Sequence, residues 1–299
     1  MTQYSLSDRI TGCLFAGALG DAIGAYYEGQ SSGADFEVPT DLSITDDTQL
    51  TIATCESIIQ SGEVQPESIA NRMVEWFRER RITGIGSSTL KALVELDAGG
   101  HWALVGASGE CSAGNGAAMR IAPLAFMLDP DVDSERQTIR DVCRITHRND
   151  EAYIGALAVV RTIGHVIKGN SLNAELLPSL ISTLPDSRVR DRFMAVDDQA
   201  LTLEEYASQF KTDGYVVNSV PLAILAAFEA DDLLETIEKI VQCGGDTDTI
   251  ASMFGQIYGA AHGTDVLPMP LVDQIDEVTL IRKTAIDFSN IISTKQGNA

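Results

Sequence analysis

Two sets of small residues repeat at intervals of four near opposite ends of the chain: Gly12, Ala16, Gly20 and Gly24, then Ala251, Gly255, Gly259 and Gly263. That interval places each set on one ridge of a helix. Glycine inside a helix costs about 0.5–1 kcal/mol relative to alanine, so its repeated use requires a compensating gain. Close helix packing supplies one, because bare ridges let axes approach near the lower end of the usual spacing of about 8–10 Å. The first ridge lies in a helix predicted over roughly Leu6 to Tyr27.

The helical period dominates the rest of the chain. Further helices are predicted at Thr48 to Gln60, Pro66 to Arg80, Ser87 to Leu96, Gly116 to Leu128, Ser134 to Thr146 and Asp150 to Ile167. Others are predicted at Leu203 to Phe210, Val220 to Ala230, Asp231 to Val241 and Leu271 to Ser293. Almost no segment alternates at period two over a strand's length. Gly29 to Pro39, Leu96 to Gly114 and Pro185 to Ala200 read as loops, and no Pro- or Ser-rich linker divides the chain. The expected fold is all-α, a compact single domain over residues 1–299.

A hydrophobic content of 44% is ample for a sizeable core. The formal charge of −22, without clustered Lys and Arg, argues against nucleic acid or an anionic membrane as partner. No apolar run reaches the roughly 18–20 residues of a membrane span. The stretch "ITGCLFAGALG" has the length of a signal-peptide core, but Asp8 and Arg9 precede it and Asp21 breaks the apolar run directly after it, so it reads as a buried helix. Five cysteines form no C-x-x-C pair, which fits a reducing cytoplasm. Scattered histidines argue against zinc.

Acids gather at two helix entrances. Asp46 and Asp47 stand in "SITDDT" before the helix at Thr48, and Asp246 and Asp248 stand in "GGDTDT" before an apolar segment rich in small residues. One Asp or Thr suffices to cap a helix, so either the two clusters are independent caps or they meet in one cleft. Two carboxylates about 4 Å apart repel by roughly 4 kcal/mol at an effective dielectric near 20, so an assembled cluster requires protons or cations. Oxygen donors select Mg²⁺ or Mn²⁺ over softer metals, and two ions sharing carboxylates would suit so many acids. Glu28 tips the reading toward a site: it stands just after the first helix, where the dipole disfavours an acid.

A third stretch, "CSAGNGAAMRIAPLA", holds a tight turn at Gly114, Asn115 and Gly116. Its amides could face phosphate oxygens at a helix start, although Asn-Gly turns are also ordinary loop chemistry.

Taken in order, "GCLFAGALGDAIGAYYEG", "SITDDTQLT", "GIGSSTLKAL", "AGNGAAMRIAPLA", "ITHRNDEAYIGA", "DGYVVNSVPLAI" and "GGDTDTIASMFGQIYGA" resemble the ADP-ribosylglycohydrolase family across nearly the whole chain. The resemblance implies an all-α bundle with a dinuclear Mg²⁺ or Mn²⁺ centre that cleaves ADP-ribose from a protein side chain or a small conjugate. It implies that Thr45, Asp46 and Asp47 form one metal-ligand run and Asp246, Asp248 and Thr249 the other. Glu28, Asp46, Asp47 and Asp248 become candidate catalytic groups. Ser112, Gly114, Asn115 and Gly116 match the diphosphate loop, and His147 and Tyr215 match residues lining the ADP-ribose pocket.

Two departures bear on the leaving group. Gly84 stands where some arginine-directed members carry an acid, and Ala113 where certain relatives have an aromatic residue. A phosphatase using "DTDTI" as its nucleophile motif would need a parallel α/β sheet that the helical period does not support. The remaining alternative is a helical ADP-ribose-binding or structural protein with little turnover. The acceptor, the general base and the oligomeric state stay open.

Overall fold

Sixteen α-helices supply nearly all the regular structure of the computed structural model, which describes residues 4–297. The first eight are α1 (Leu6–Tyr27), α2 (Asp46–Ser61), α3 (Pro66–Arg78), α4 (Ser87–Asp97), α5 (Trp102–Val105), α6 (Ala122–Ala125), α7 (Asp133–Arg144) and α8 (Asp150–Ile167). The rest are α9 (Leu177–Thr183), α10 (Arg188–Gln199), α11 (Leu203–Gln209), α12 (Val216–Glu229), α13 (Leu233–Cys243), α14 (Thr247–His262), α15 (Met269–Val272) and α16 (Val278–Gly297). The only strands among the described residues are β1 (Ala107–Ser108) and β2 (His147–Arg148), a parallel pair that sets Ala107 opposite His147. The expected all-α class holds.

The two small-residue ridges face each other. α1 and α14 touch along most of their length, and a Cβ added at Gly12, Gly20, Gly255 or Gly259 would strike the partner helix's backbone. Both helices are buried nearly all round, so neither carries a polar face. Around this pair pack α2, α8, α12, α13 and α16, with Leu19, Ile23, Leu50, Ile224 and Phe254 fully enclosed. Among the described residues no helix is long and apolar enough to cross a membrane.

Four expected elements differ from the structure. Leu96 to Gly114 is not all loop: it holds the one-turn helix α5 and the short strand β1. Pro185 to Ala200 is not a loop: Ser187 caps α10 by accepting from the Arg190 amide, and Val189, Phe193 and Val196 form its buried stripe. Gly116 to Leu128 is not one helix but a 3-10 turn at Asn115–Ala117 followed by the single turn of α6, which Pro123 restarts near its first position. Leu271 to Ser293 is broken between α15 and α16, where Glu277 takes a positive φ of 49°.

Candidate active site

The α1–α14 seam carries the C-terminal end of α1 to the N-terminal end of α14. The Thr247 hydroxyl donates to the Gly24 carbonyl at 2.7 Å, and a Cβ at Gly24 would stand 2.5 Å from the Cα of Asp248. At Glu28 the chain turns out of the helix into extended backbone. It is then stitched to the double glycine: the Gly29 amide donates to the Gly245 carbonyl at 2.8 Å, and the Gly245 amide donates to Gln30 at 3.2 Å. Gly245 has φ +86°, and a side chain there would collide with the Thr212 carbonyl, so glycine is required at this crossing. Carboxylate oxygens of Glu28, Asp246 and Asp248 consequently lie within 4.8 Å of one another.

The second cluster is set by a residue from a different helix. Asp21, fully buried on α1, accepts from the amides and hydroxyls of both Thr45 and Thr48 at 2.6–3.1 Å. It therefore caps α2 from outside, and the Asp46 and Asp47 carboxylates are left out of that task. The Thr249 hydroxyl donates to Asp47 Oδ2 at 3.2 Å, which joins two clusters 202 residues apart. Asp47 Oδ1 is buried and has no hydrogen-bond partner among the described residues. Burial, then the charges of Asp21 and Asp248, push the Asp46 carboxyl up to about 8. Burial first and neighbouring carboxylates second hold Asp47 and Asp246 well above the ordinary range. Asp21 is pushed up to about 6 by burial, against the hydrogen bonds it accepts. An unpartnered buried oxygen within an all-oxygen donor set fits divalent cations such as Mg²⁺ or Mn²⁺.

The glycine-rich turn closes the opposite wall. A Cβ at Gly114 would stand 3.0 Å from His147 Nε2, and one at Gly116 would stand 2.9 Å from its Cε1, so the imidazole occupies the space both glycines vacate. β2 fixes the His147 backbone, Thr146 Oγ1 lies 2.8 Å from its Nδ1, and burial lowers its pKa to about 3, which keeps the ring neutral. Buried Arg120 donates to the Gly116 carbonyl from below. The Asn115 amide donates to Gly214 at 3.0 Å, and the Val216 amide donates to Ala113 at 2.9 Å.

One cavity of about 270 Å³ takes in Glu28, Asp46, Asp246, Asp248, Thr249, Gly114, Asn115, Gly116 and His147. Four expected site residues stand outside its lining. Thr45 donates its hydroxyl to Asp21, Asp47 lies beneath, and Ser112 donates its hydroxyl to the Ser108 carbonyl. Tyr215 pairs through its backbone with Gly114 and accepts from Arg188 Nη1 at 3.2 Å. Sequence reasoning missed Asp21, and it missed the start of α4, where Gly86 to Thr89 line the cavity. The available signal was an acid in the middle of the apolar, small-residue stretch that follows Arg9 in α1.

Fold and site together define an all-α protein built around a carboxylate-lined cavity. The family described as ADP-ribosylglycohydrolase matches residues 2–298, and the chain belongs to it. ADP-ribosylhydrolase ARH3 of Gallus gallus is 28% identical, with 87% of each chain covered. ADP-ribosylarginine hydrolase Tri1 of Pseudomonas putida is 25% identical, with 95% of this chain and 79% of the relative covered. A solved structure titled ADP-ribosylglycohydrolase-related protein complex superposes with a TM-score of 0.72 at 23% identity, covering 96% of this chain and 98% of its own. That likeness bears on the fold alone.

Proposed function

We propose that this protein hydrolyses the N- or O-glycosidic bond between ADP-ribose and an acceptor, a protein side chain or a small conjugate, and so reverses ADP-ribosylation. The observation that carries the reading is the shared cavity: the acid cluster forms one wall and the Gly114–Gly116 turn with neutral His147 forms the other. Such an arrangement suits a ligand with a diphosphate at one end and a sugar at the other. Relatives named as ADP-ribosyl hydrolases along nearly the whole chain support it.

Asp46, Asp47, Asp246, Asp248 and Thr249, with Thr45 at the edge, would hold two Mg²⁺ or Mn²⁺ ions. Bound there, the cations supply Lewis acidity and neutralise the clustered carboxylates. The chain's own groups do the rest. The Gly114 and Gly116 amides would orient the diphosphate, with Ser112 and Tyr215 supporting that turn from behind. The acid wall would favour positive charge developing at the ribose carbon. Glu28, exposed at the mouth with its pKa raised by Asp248 and by burial, is placed to accept and return a proton. We treat residues 1–299 as one domain. Five free cysteines suit a reducing cytoplasm.

The test is incubation with Mg²⁺ and a panel of arginine-, serine- and nucleic-acid-linked ADP-ribose, with released ADP-ribose as the readout. Release from at least one substrate is expected. No release from any, under conditions where free ADP-ribose still binds, would favour a binding protein instead.

A further inference from the structure

The Asn115 side chain crosses the cavity wall in an unexpected direction. Its Nδ2 donates to Asp246 Oδ2 at 2.6 Å and to the Ser219 hydroxyl at 3.2 Å. Once ionised, as cation binding requires, the Asp246 carboxylate only accepts, which fixes the amide orientation: the nitrogen must face Asp246. The Asn115 backbone N–H is also engaged, donating to the Gly214 carbonyl at 3.0 Å. Neither donor is free for a phosphate, although the residue sits at the centre of the glycine turn.

These bonds close a ring. The Asp246 amide donates to Thr212 at 2.8 Å, two residues before the Gly214 carbonyl that accepts from Asn115. The glycine turn, the 212–214 turn and Asp246 at the entrance to α14 are therefore tied to one another. Gly214 lies against both partners: a Cβ there would sit in ordinary van der Waals contact, 3.5 Å from Asp246 Oδ2 and 3.8 Å from Asn115 Oδ1. A cation that reorients the Asp246 carboxylate must either carry Asn115 with it or break a short charge-assisted bond.

We infer that Asn115 is a positioning residue that couples the acid cluster to the ligand turn, so that divalent cation and ADP-ribose each strengthen the other's binding through it. The inference rests on the glycohydrolase reading. Coupling of this kind is reciprocal: the factor by which the cation tightens ADP-ribose equals the factor by which ADP-ribose tightens the cation. Any direct contact between ribose and cation adds its own factor, which substitution at position 115 leaves in place. The change in the ratio therefore isolates the contribution of Asn115.

The experiment is calorimetric titration of the full-length chain with ADP-ribose, once free of divalent cations and once saturated with Mn²⁺. The reverse titration of Mn²⁺ is then run with and without ADP-ribose. In the unsubstituted protein the two Kd ratios should agree and exceed one. Asn115→Ala should lower that ratio by about threefold or more, while each ligand alone still binds. Asn115→Ser, too short to reach Asp246, should do the same and serves if the alanine variant does not fold. Ser219→Ala, which leaves the Asn115–Asp246 bond intact, should keep most of the ratio. An unchanged ratio in the alanine or serine variant overturns the inference, as does a ratio of one in the unsubstituted protein. Failure of the unsubstituted protein to bind ADP-ribose at all would instead overturn the glycohydrolase reading on which the inference stands.

Discussion

Asp47 is the residue whose environment is hardest to explain without a ligand. One of its oxygens takes the Thr249 hydroxyl and the other, equally buried, takes nothing among the described residues. Leaving a buried acceptor unpaired costs roughly 1–3 kcal/mol, so the site is arranged for something other than the folded chain alone. Asp47→Asn and Asp248→Asn should each lower turnover at least about a hundredfold, and the double variant should lose far less than the product, because residues acting as a unit are non-additive. Simple multiplication of the two losses in kcat would mean that the clusters work separately. Gly84 poses a question of specificity. It has φ +74°, and a Cβ there would stand 3.5 Å from Asp46 Oδ1. Gly84→Asp should change the ratio of kcat/KM for arginine-linked against serine-linked substrates while barely altering competitive inhibition by ADP-ribose. Tenfold weaker inhibition together with an equal change on every substrate would place this position against the common moiety.

Among elements, the α1–α14 seam decides the geometry, and two glycines on different helices separate packing from propensity. In open helix positions Gly→Ala gains up to about 1 kcal/mol. Gly164 on α8 has nothing within 4 Å of its missing Cβ, so Gly164→Ala should stabilise. At Gly20 the added methyl would strike the Ala251 carbonyl, and overpacking of about 1–3 kcal/mol or more outweighs the helical gain. Denaturant titration of both variants should give shifts of opposite sign; a stabilised Gly20→Ala would mean that the seam is loose. The ridges that form this seam were legible in the sequence because a four-residue repeat is a local signal. Helix α10 was not, since Pro185 and Ser187 read as loop formers and its stripe of Val189, Phe193 and Val196 is short. The clustering of acids at two helix entrances was legible as well. Asp21 was not, because its role depends on Thr45 and Thr48, 24 and 27 residues away, and nothing in its own neighbourhood announces them. The break between Asn115–Ala117 and α6 escaped for a related reason: Arg120 is committed to the Gly116 carbonyl, and Pro123 restarts the chain.

For the whole molecule, the acid wall ties stability to pH and to cations. Asp46, pushed up to about 8, and Asp47 and Asp246, held well above the ordinary range, bind protons more readily folded than unfolded. The stability they contribute is present at low pH and lost as pH rises from about 4 through about 8. His147, lowered to about 3, acts in the opposite sense below about pH 6.5, but it is one group against several. With chelator present, Tm should therefore be higher near pH 6 than near pH 8.5, and excess Mn²⁺ should raise it most at the alkaline end. A chelated protein whose Tm rises across that window, or which keeps full activity, would contradict the reading of the cluster. The seam also sets a schedule for biosynthesis. α1 ends at Tyr27 and its partner begins at Thr247, so α1 must wait for a helix that is made much later. At synthesis rates of about 5–20 residues per second, its bare glycine face goes uncovered for on the order of ten to forty seconds. During that interval the nascent chain holds an apolar, side-chain-poor helix with no native partner, which makes it a client for chaperones and leaves any premature stop before Asp246 with half a site.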